Sequence, residues 1–342
     1  FRPDTKASVR VADSFALLID AISGPQVMSD KSWQYSREYK TPGFIAINRL
    51  DRENSSYQRT LEAIQARFGR EAVALQIPIG KEHDFSGVVD LVEMKAFSYK
   101  RDGDGRASAG DIPEELQATA ESQREALVEM VAEGDETLME VFFEEGDLTP
   151  EQLAKGIRTA VRDRLLFPVL CTSALHGIGT DRVLATIVNY LPSPDERADF
   201  TGANAKDKEE ASWPIDPEGP FAALVFKTVA DPYAGRISLM KVFSGSASVD
   251  APMLNPRSNT TEKLANLSLV QGKQYEPTQG VVAGQLCAVA KLRDIHTSDT
   301  LCDKSQPIII DPVEFPKAAI SFAVEPQTQA DEEKISEALA RL

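Results

Sequence analysis

Soft ligands are scarce in this 342-residue chain, which has three cysteines and three histidines. Cys171, Cys287 and Cys302 are odd in number, unclustered and set in apolar stretches. They exclude a disulfide framework or thiolate metal set and read as reduced core thiols of an intracellular, cytoplasmic protein. His83, His176 and His296 are scattered without ligand spacing, so no metal site is expected. No apolar run approaches the roughly 20 residues of a membrane-spanning helix, and no membrane partner is expected. A phosphate-binding loop is missing too. Such a loop needs G-x-x-x-x-G-K-[ST], so that backbone N–H groups and a lysine cradle the anion. The two Gly-Lys pairs, Gly80-Lys81 and Gly272-Lys273, run on into Glu82 and Gln274.

Acidic side chains outnumber basic ones, 53 to 37, for a formal charge of −16. That balance argues against a general nucleic-acid binder. Much of the excess sits in residues 114–147, where Arg124 is the single base among twelve acids. Leu116, Ala120, Leu127, Met130 and Val131 recur beneath those charges at helical spacing, which predicts an amphipathic helix with an acidic outer face. Taken alone, such a face is a solvated surface.

What is present is a pair of strand-end motifs. Asn48-Arg49-Leu50-Asp51 closes the apolar run Phe44-Ile45-Ala46-Ile47, and Ser173-Ala174-Leu175 closes a second run over 165–171. Helical patterns follow both, at 57–68 and 180–190. Strand ends leading into helices are where open α/β sheets bind ligands. Guanine presents two adjacent donors on its Watson–Crick edge, and an ionised Asp51 offers two acceptor oxygens. Charge-assisted bonds of this kind contribute roughly 1.5–3 kcal/mol each. Adenine offers an acceptor and a donor there and leaves the carboxylate badly paired. Asn48 is expected to bond the N7 side of the base or brace the loop, and the stem of Arg49 to lie on the ring face. The N–H of Ala174 is expected to meet the guanine carbonyl, with Ser173 pinning the turn and Leu175 completing the motif.

Periodicity gives the organisation. Residues 15–19 read as a buried strand and 29–39 as a helix. The two motifs lie much further apart than the roughly 30 residues a strand–helix–strand unit needs, so an insertion over about 80–165 is expected. Within it, 88–99 reads as paired strands, 101–105 as a hairpin turn, then acidic helices, and a last helix from Pro150 to about Leu165. The first domain is expected over 1–194 and a polar linker over 195–219. Strands at 222–229, 236–243, 263–270 and 285–292 suggest a closed β-barrel over 220–312. A further strand at 318–324 and a helix at 330–342 open another α+β domain, expected over 313–342.

These residues carry a resemblance. Val11-Ala12-Asp13 through Asp51-Arg52, Asp84-Phe85-Ser86-Gly87-Val88-Val89-Asp90-Leu91, Ser173-Ala174-Leu175 with Gly177-Ile178-Gly179, and Tyr190-Leu191-Pro192-Ser193-Pro194 resemble bacterial translation elongation factor G. Asp231-Pro232-Tyr233-Ala234-Gly235-Arg236 and Ser298-Asp299-Thr300-Leu301 are similar to its second domain, and Val324-Glu325-Pro326 to the start of its third. The family usually has lysine where this chain has Arg49. The resemblance implies a P-loop GTPase-type α/β domain whose front part is missing, an α+β insertion, a β-barrel and the start of a ferredoxin-like domain. It implies a parent that binds GTP or GDP with Mg²⁺ and hydrolyses GTP on the ribosome during translocation, meeting rRNA and ribosomal proteins. The acidic segment 114–147 would dock the basic ribosomal stalk protein. The phosphate loop, both switches and the catalytic histidine belong to the absent front. No catalytic residue is therefore expected here, and this fragment should be close to nucleotide-free and inactive. A recycling or ribosome-protection factor on the same scaffold, or a non-hydrolysing ribosome-binding module, is the alternative.

Overall fold

The strands of the first half of the chain follow its apolar runs. A computed structural model describes residues 2–231, 235–315, 320–326, 328, 329, 331, 334, 335 and 339. Ala12–Glu196 form one compact unit, and Phe1–Val11 with Arg197–Leu342 the other. Residues 2–11 thus cluster with the β-rich unit.

The α/β unit contains β1 (Phe15–Asp20), β2 (Gly43–Asn48), β3 (Ala72–Ala74), β4 (Gln76–Ile79), β5 (Gly87–Asp90), β6 (Lys95–Ser98), β7 (Ser108–Gly110) and β8 (Phe167–Cys171). Four of them form a parallel sheet in the order β1-β2-β8-β3. β2 and β8 lie in its middle and are buried on both faces, as continuous apolar runs require. The helices along the chain are α1 (Arg2–Val11), α2 (Val27–Glu38), α3 (Tyr57–Phe68), α4 (Glu114–Ala132), α5 (Glu136–Glu145), α6 (Pro150–Arg162) and α7 (Thr180–Tyr190). Ser56 starts α3 by accepting the Arg59 N–H. Thr149 and Gln152 start α6 with a reciprocal capping box around Pro150.

The expected insertion is the antiparallel meander β4-β5-β6-β7 followed by α4, α5 and α6. Residues 101–105 form the turn between β6 and β7. The acidic segment is two helices rather than one. Gly134 is a poor helix former, and the Asp135 carboxylate caps a new helix by accepting the N–H groups of Thr137 and Leu138. Arg124 is buried and points inward. It donates to the carbonyls of Leu91, Val92 and Leu148 at 2.8–2.9 Å and to Asp147 at 3.2 Å. The outer acidic face therefore lacks the only base of its sequence.

In the second unit, eight strands form one antiparallel sheet with Ala222–Asp231 and Gly235–Ser244 at its centre. Val225, Met240 and Leu301 lie in its core. The strand expected at 263–270 is two, Thr260–Lys263 and Leu267–Gln271, separated where Asn266 turns left-handed at φ 54°. The expected linker 195–219 holds a hairpin, Phe200–Asn204 with Glu210–Trp213, extended by Ile308–Ile310. Its polar outer face hid it in the sequence. Phe200 is buried and stacks on Trp213 at 5.6 Å, in a core shared with Ala7 and Val11 of α1.

Of the last expected strand, residues 318 and 319 lie outside the described residues, while 320–324 carry no strand and are exposed. Most of the expected helix 330–342, and Pro232, Tyr233 and Ala234, also lie outside them.

Candidate guanine-binding site

Three strands end at one edge of the parallel sheet. Their register sets Asp20 of β1 beside Asn48 of β2, and Ile47 beside Cys171 of β8. The loops that leave β2 and β8 carry the two sequence motifs, at the carboxyl end where open sheets bind ligands.

Asn48 braces this edge. Its Oδ1 accepts the Ala174 N–H at 3.0 Å and the Thr172 hydroxyl at 3.3 Å. The Ala174 N–H is thereby engaged within the protein, contrary to the expectation that it is free for a guanine carbonyl. Arg49 adopts a left-handed backbone, φ 67°, and its Nη1 lies 2.6 Å from Asp20 Oδ2. Asp20 Oδ1 accepts the N–H groups of Ile22 and Ser23. Burial pushes the Asp20 carboxyl up, but the Ser23 and Ile22 N–H bonds and the Arg49 guanidinium outweigh it and hold it below its ordinary value. Asp20 was missed in the sequence. Its signal was a carboxylate ending an apolar run, one strand away from the first motif.

Asp51 is 2% exposed, and its Oδ1 has no hydrogen-bond partner. Its Oδ2 lies 3.5 Å from Nε2 of His176 and 4.0 Å from Nε of Arg52. Ser173 is fully buried and pins its turn through backbone, not hydroxyl. Its N–H and C=O bond those of Ile178, both at 3.0 Å, while its Oγ is without a partner. Leu175 stands exposed on the loop between them. Gly179 closes the loop at φ 77°, where a Cβ would stand 2.3 Å from the Cys171 carbonyl oxygen.

A buried acceptor left unpaired costs about 1–3 kcal/mol. The Asp51 oxygen therefore fits a ligand that brings donors, as guanine does. His176, Arg101 and Asp102 also reach this edge and were not read as site residues. Gly80-Lys81 is no phosphate cradle. Gly80 turns at φ 80° into the short Glu82–Asp84 helix, and a Cβ there would meet the Asp84 carbonyl. Cys171 lies behind the site, where burial pushes its thiol well above the ordinary range. Among the described residues no His, Cys, Asp and Glu group is placed to hold a metal.

Comparisons with known proteins agree with this architecture. Residues 220–304 match the family model of elongation factor G domain 2. A crystal structure of a protein from Thermus thermophilus has a TM-score of 0.82 to this chain, and the match covers 99% of this chain and 48% of that one at 24% identity. That likeness speaks for the fold alone, and the chain spans about half the length of that protein. Residues 1–193, more than half of the chain, match the elongation factor Tu GTP binding domain. An α/β GTPase domain followed by a β-rich domain is the arrangement found here, and the chain belongs to the family of the elongation factor Tu GTP binding domain.

Proposed function

We propose that this chain is the rear part of an elongation factor G-like GTPase that hydrolyses GTP on the ribosome during translocation. On this reading it holds the guanine-recognising half of the GTP-binding domain with its insertion, a closed barrel, and the start of a ferredoxin-like domain. The observation that carries the reading is the buried, unpartnered Oδ1 of Asp51 at the carboxyl edge of a parallel sheet. A front part of the same domain would supply the phosphate loop, the switches, the catalytic histidine and the Mg²⁺ ligands. Two surfaces favour that. β1 is the last strand of its sheet, with Ala16 and Leu18 exposed, and α7 exposes the stripe Leu184, Ile187 and Val188.

GTP with Mg²⁺ would bring the phosphate chemistry. The residues here would read the base, with Asp51 accepting its two donors while Asn48 and Ser173 hold the loops. Competition binding between GDP and XDP tests this in the full-length protein. Asp51→Asn replaces one acceptor with a donor, and preference should move to xanthine by about tenfold or more. An unchanged preference sinks the assignment. By the same assay the 342-residue chain alone should bind GDP at best at roughly millimolar Kd, because base contacts are its only share of the affinity.

The acidic face of α4 and α5 fits a basic partner, and in this reading that partner is the ribosomal stalk protein. Apart from the half-buried Asp135, its acids are exposed, and Arg124 is turned away. Charge of one sign speeds encounter and loses effect with salt. Reversing Glu121, Glu125 and Glu129 to lysine should lower the stalk on-rate at low salt. An unaltered rate returns the helices to a plain solvated surface.

A further inference from the structure

The turn at 101–105, read from sequence as a simple hairpin, reaches the base-reading loops. Asp102 Oδ1 lies 2.6 Å from Nδ1 of His176, and Arg101 Nη2 lies 2.9 Å from Nε2 of the same ring. Arg101 is itself held by donating Nη1 to the His83 carbonyl at 2.8 Å. Gly105 closes on Gly177, where an added Cβ would stand 3.3 Å from the Gly105 Cα. The ring between them is 12% exposed, and its Nε2 faces Asp51 Oδ2 at 3.5 Å.

The proton positions follow from the inventory of donors and acceptors. A guanidinium has only donors, so Nε2 must present its lone pair to Arg101. An ionised carboxylate has only acceptors, so Nδ1 must carry the proton given to Asp102. One neutral tautomer satisfies both contacts. In that tautomer Nε2 has nothing to donate to Asp51, and the 3.5 Å approach is a contact without a hydrogen between them. The opposite tautomer would send an N–H into Oδ2 and occupy one of the two oxygens that guanine needs.

We propose that Arg101 and Asp102 are positioning residues for guanine recognition: they hold His176 as the Nδ1–H tautomer, so that the ring places no N–H on Asp51 and its carboxylate keeps its acceptor capacity for the two donors of the base. The proposal rests on the guanine reading of Asp51. It gives the insertion a part in base specificity, exerted from a turn that reaches the ring beside the carboxylate.

The test compares GDP with inosine diphosphate, whose base lacks the 2-amino group and brings one donor instead of two. The wild-type full-length protein should prefer GDP by about tenfold, the share of one charge-assisted hydrogen bond. Arg101→Ala combined with Asp102→Lys removes the donor at Nε2 and sets a donor-only ammonium at Nδ1, which drives the ring proton to Nε2. GDP binding should then fall about tenfold while inosine diphosphate changes little, so that the preference shrinks towards one. A preference that stays the same, or an equal loss for both nucleotides, overturns the proposal and leaves the turn a structural staple. Wild type that binds ADP as well as GDP defeats the Asp51 reading itself, before any variant is made. A nucleotide-free measurement keeps the idea testable should that double variant fold badly. The ¹⁵N resonances of the wild-type His176 ring should show Nδ1 protonated and Nε2 bare, and a protonated Nε2 overturns the proposal.

Discussion

Asp51 and Asp299 are two buried carboxylates in two units, and they differ in one respect. Asp299 is 5% exposed and fully paired. Its Oδ1 accepts Nε of Arg257 at 2.6 Å, and its Oδ2 accepts the Asn255 amide at 3.1 Å and the His296 N–H at 2.9 Å. Asp51 is as deeply buried, yet one oxygen has no donor at all. Burying a charge is unfavourable unless its hydrogen bonds are made. Asp299 makes them within the protein, and so belongs to the fold. Asp51 leaves one for something else. Burial alone does not separate the two acids; the count of satisfied lone pairs does, and on the proposed reading the unmade bond is the one a base would complete.

Removing Asp299 should do the greater harm. Asp299→Ala leaves the fully buried Asn255 amide with the Asp294 carbonyl as its one remaining acceptor, strips the His296 N–H of its carboxylate, and leaves Arg257 to Asp294 alone. Since Arg257 is half-exposed, a loss of about 2–4 kcal/mol is expected, measured by denaturant unfolding of the β-rich unit. Asp51→Asn should shift unfolding of the α/β unit by less than about 1 kcal/mol in either direction, because the orphan oxygen gives up no bond and a desolvated charge is removed. Equal losses for the two variants would break the comparison, and with it the argument that Asp51 is kept for a ligand.

Sequence reading fared differently in the same two places. β1, β2, β8, α3 and α7 were legible because apolar runs end at polar caps, and periodicity alone locates such elements. The insertion was legible as excess chain between two motifs. Its inner wiring was not. Arg124 looked like the odd base on an acidic helix, and only the carbonyls of Leu91, Val92 and Leu148 show why it turns inward. The hairpin at 200–213 was lost because Glu210, Ala211 and Ser212 all face water and dilute the pattern that Phe200 and Trp213 carry. At the candidate site, Asn48, Arg49, Asp51, Ser173, Ala174 and Leu175 could be named from type and position, and the structure brings them to one edge. Which partner each takes could not. The Ala174 N–H goes to Asn48, Arg49 goes to Asp20, and His176 goes to a turn 74 residues away in the chain. Those pairings depend on tertiary approach, which no local pattern encodes.

Glu196 offers the smallest and most graded version of the comparison, a carboxylate with its bonds made but near the surface. The Ser193 N–H and then the two-pronged Arg158 guanidinium hold its carboxyl down at about 2, against an ordinary 4.5. A depressed folded-state value means that the stabilisation is complete above the unfolded value and is lost as pH falls through the folded one. The window is therefore pH 4.5 down to about 2. The side chain is 34% exposed, so solvent screening limits the effect to less than about 1 kcal/mol. Unfolding of the α/β unit followed across that window should slope more steeply for wild type than for Glu196→Gln, the two curves converging at the acid end. Parallel curves would mean that Arg158 and Ser193 give this carboxylate no more than water does. Being well paired would then matter only where water is excluded, as it is at Asp299 and Asp51.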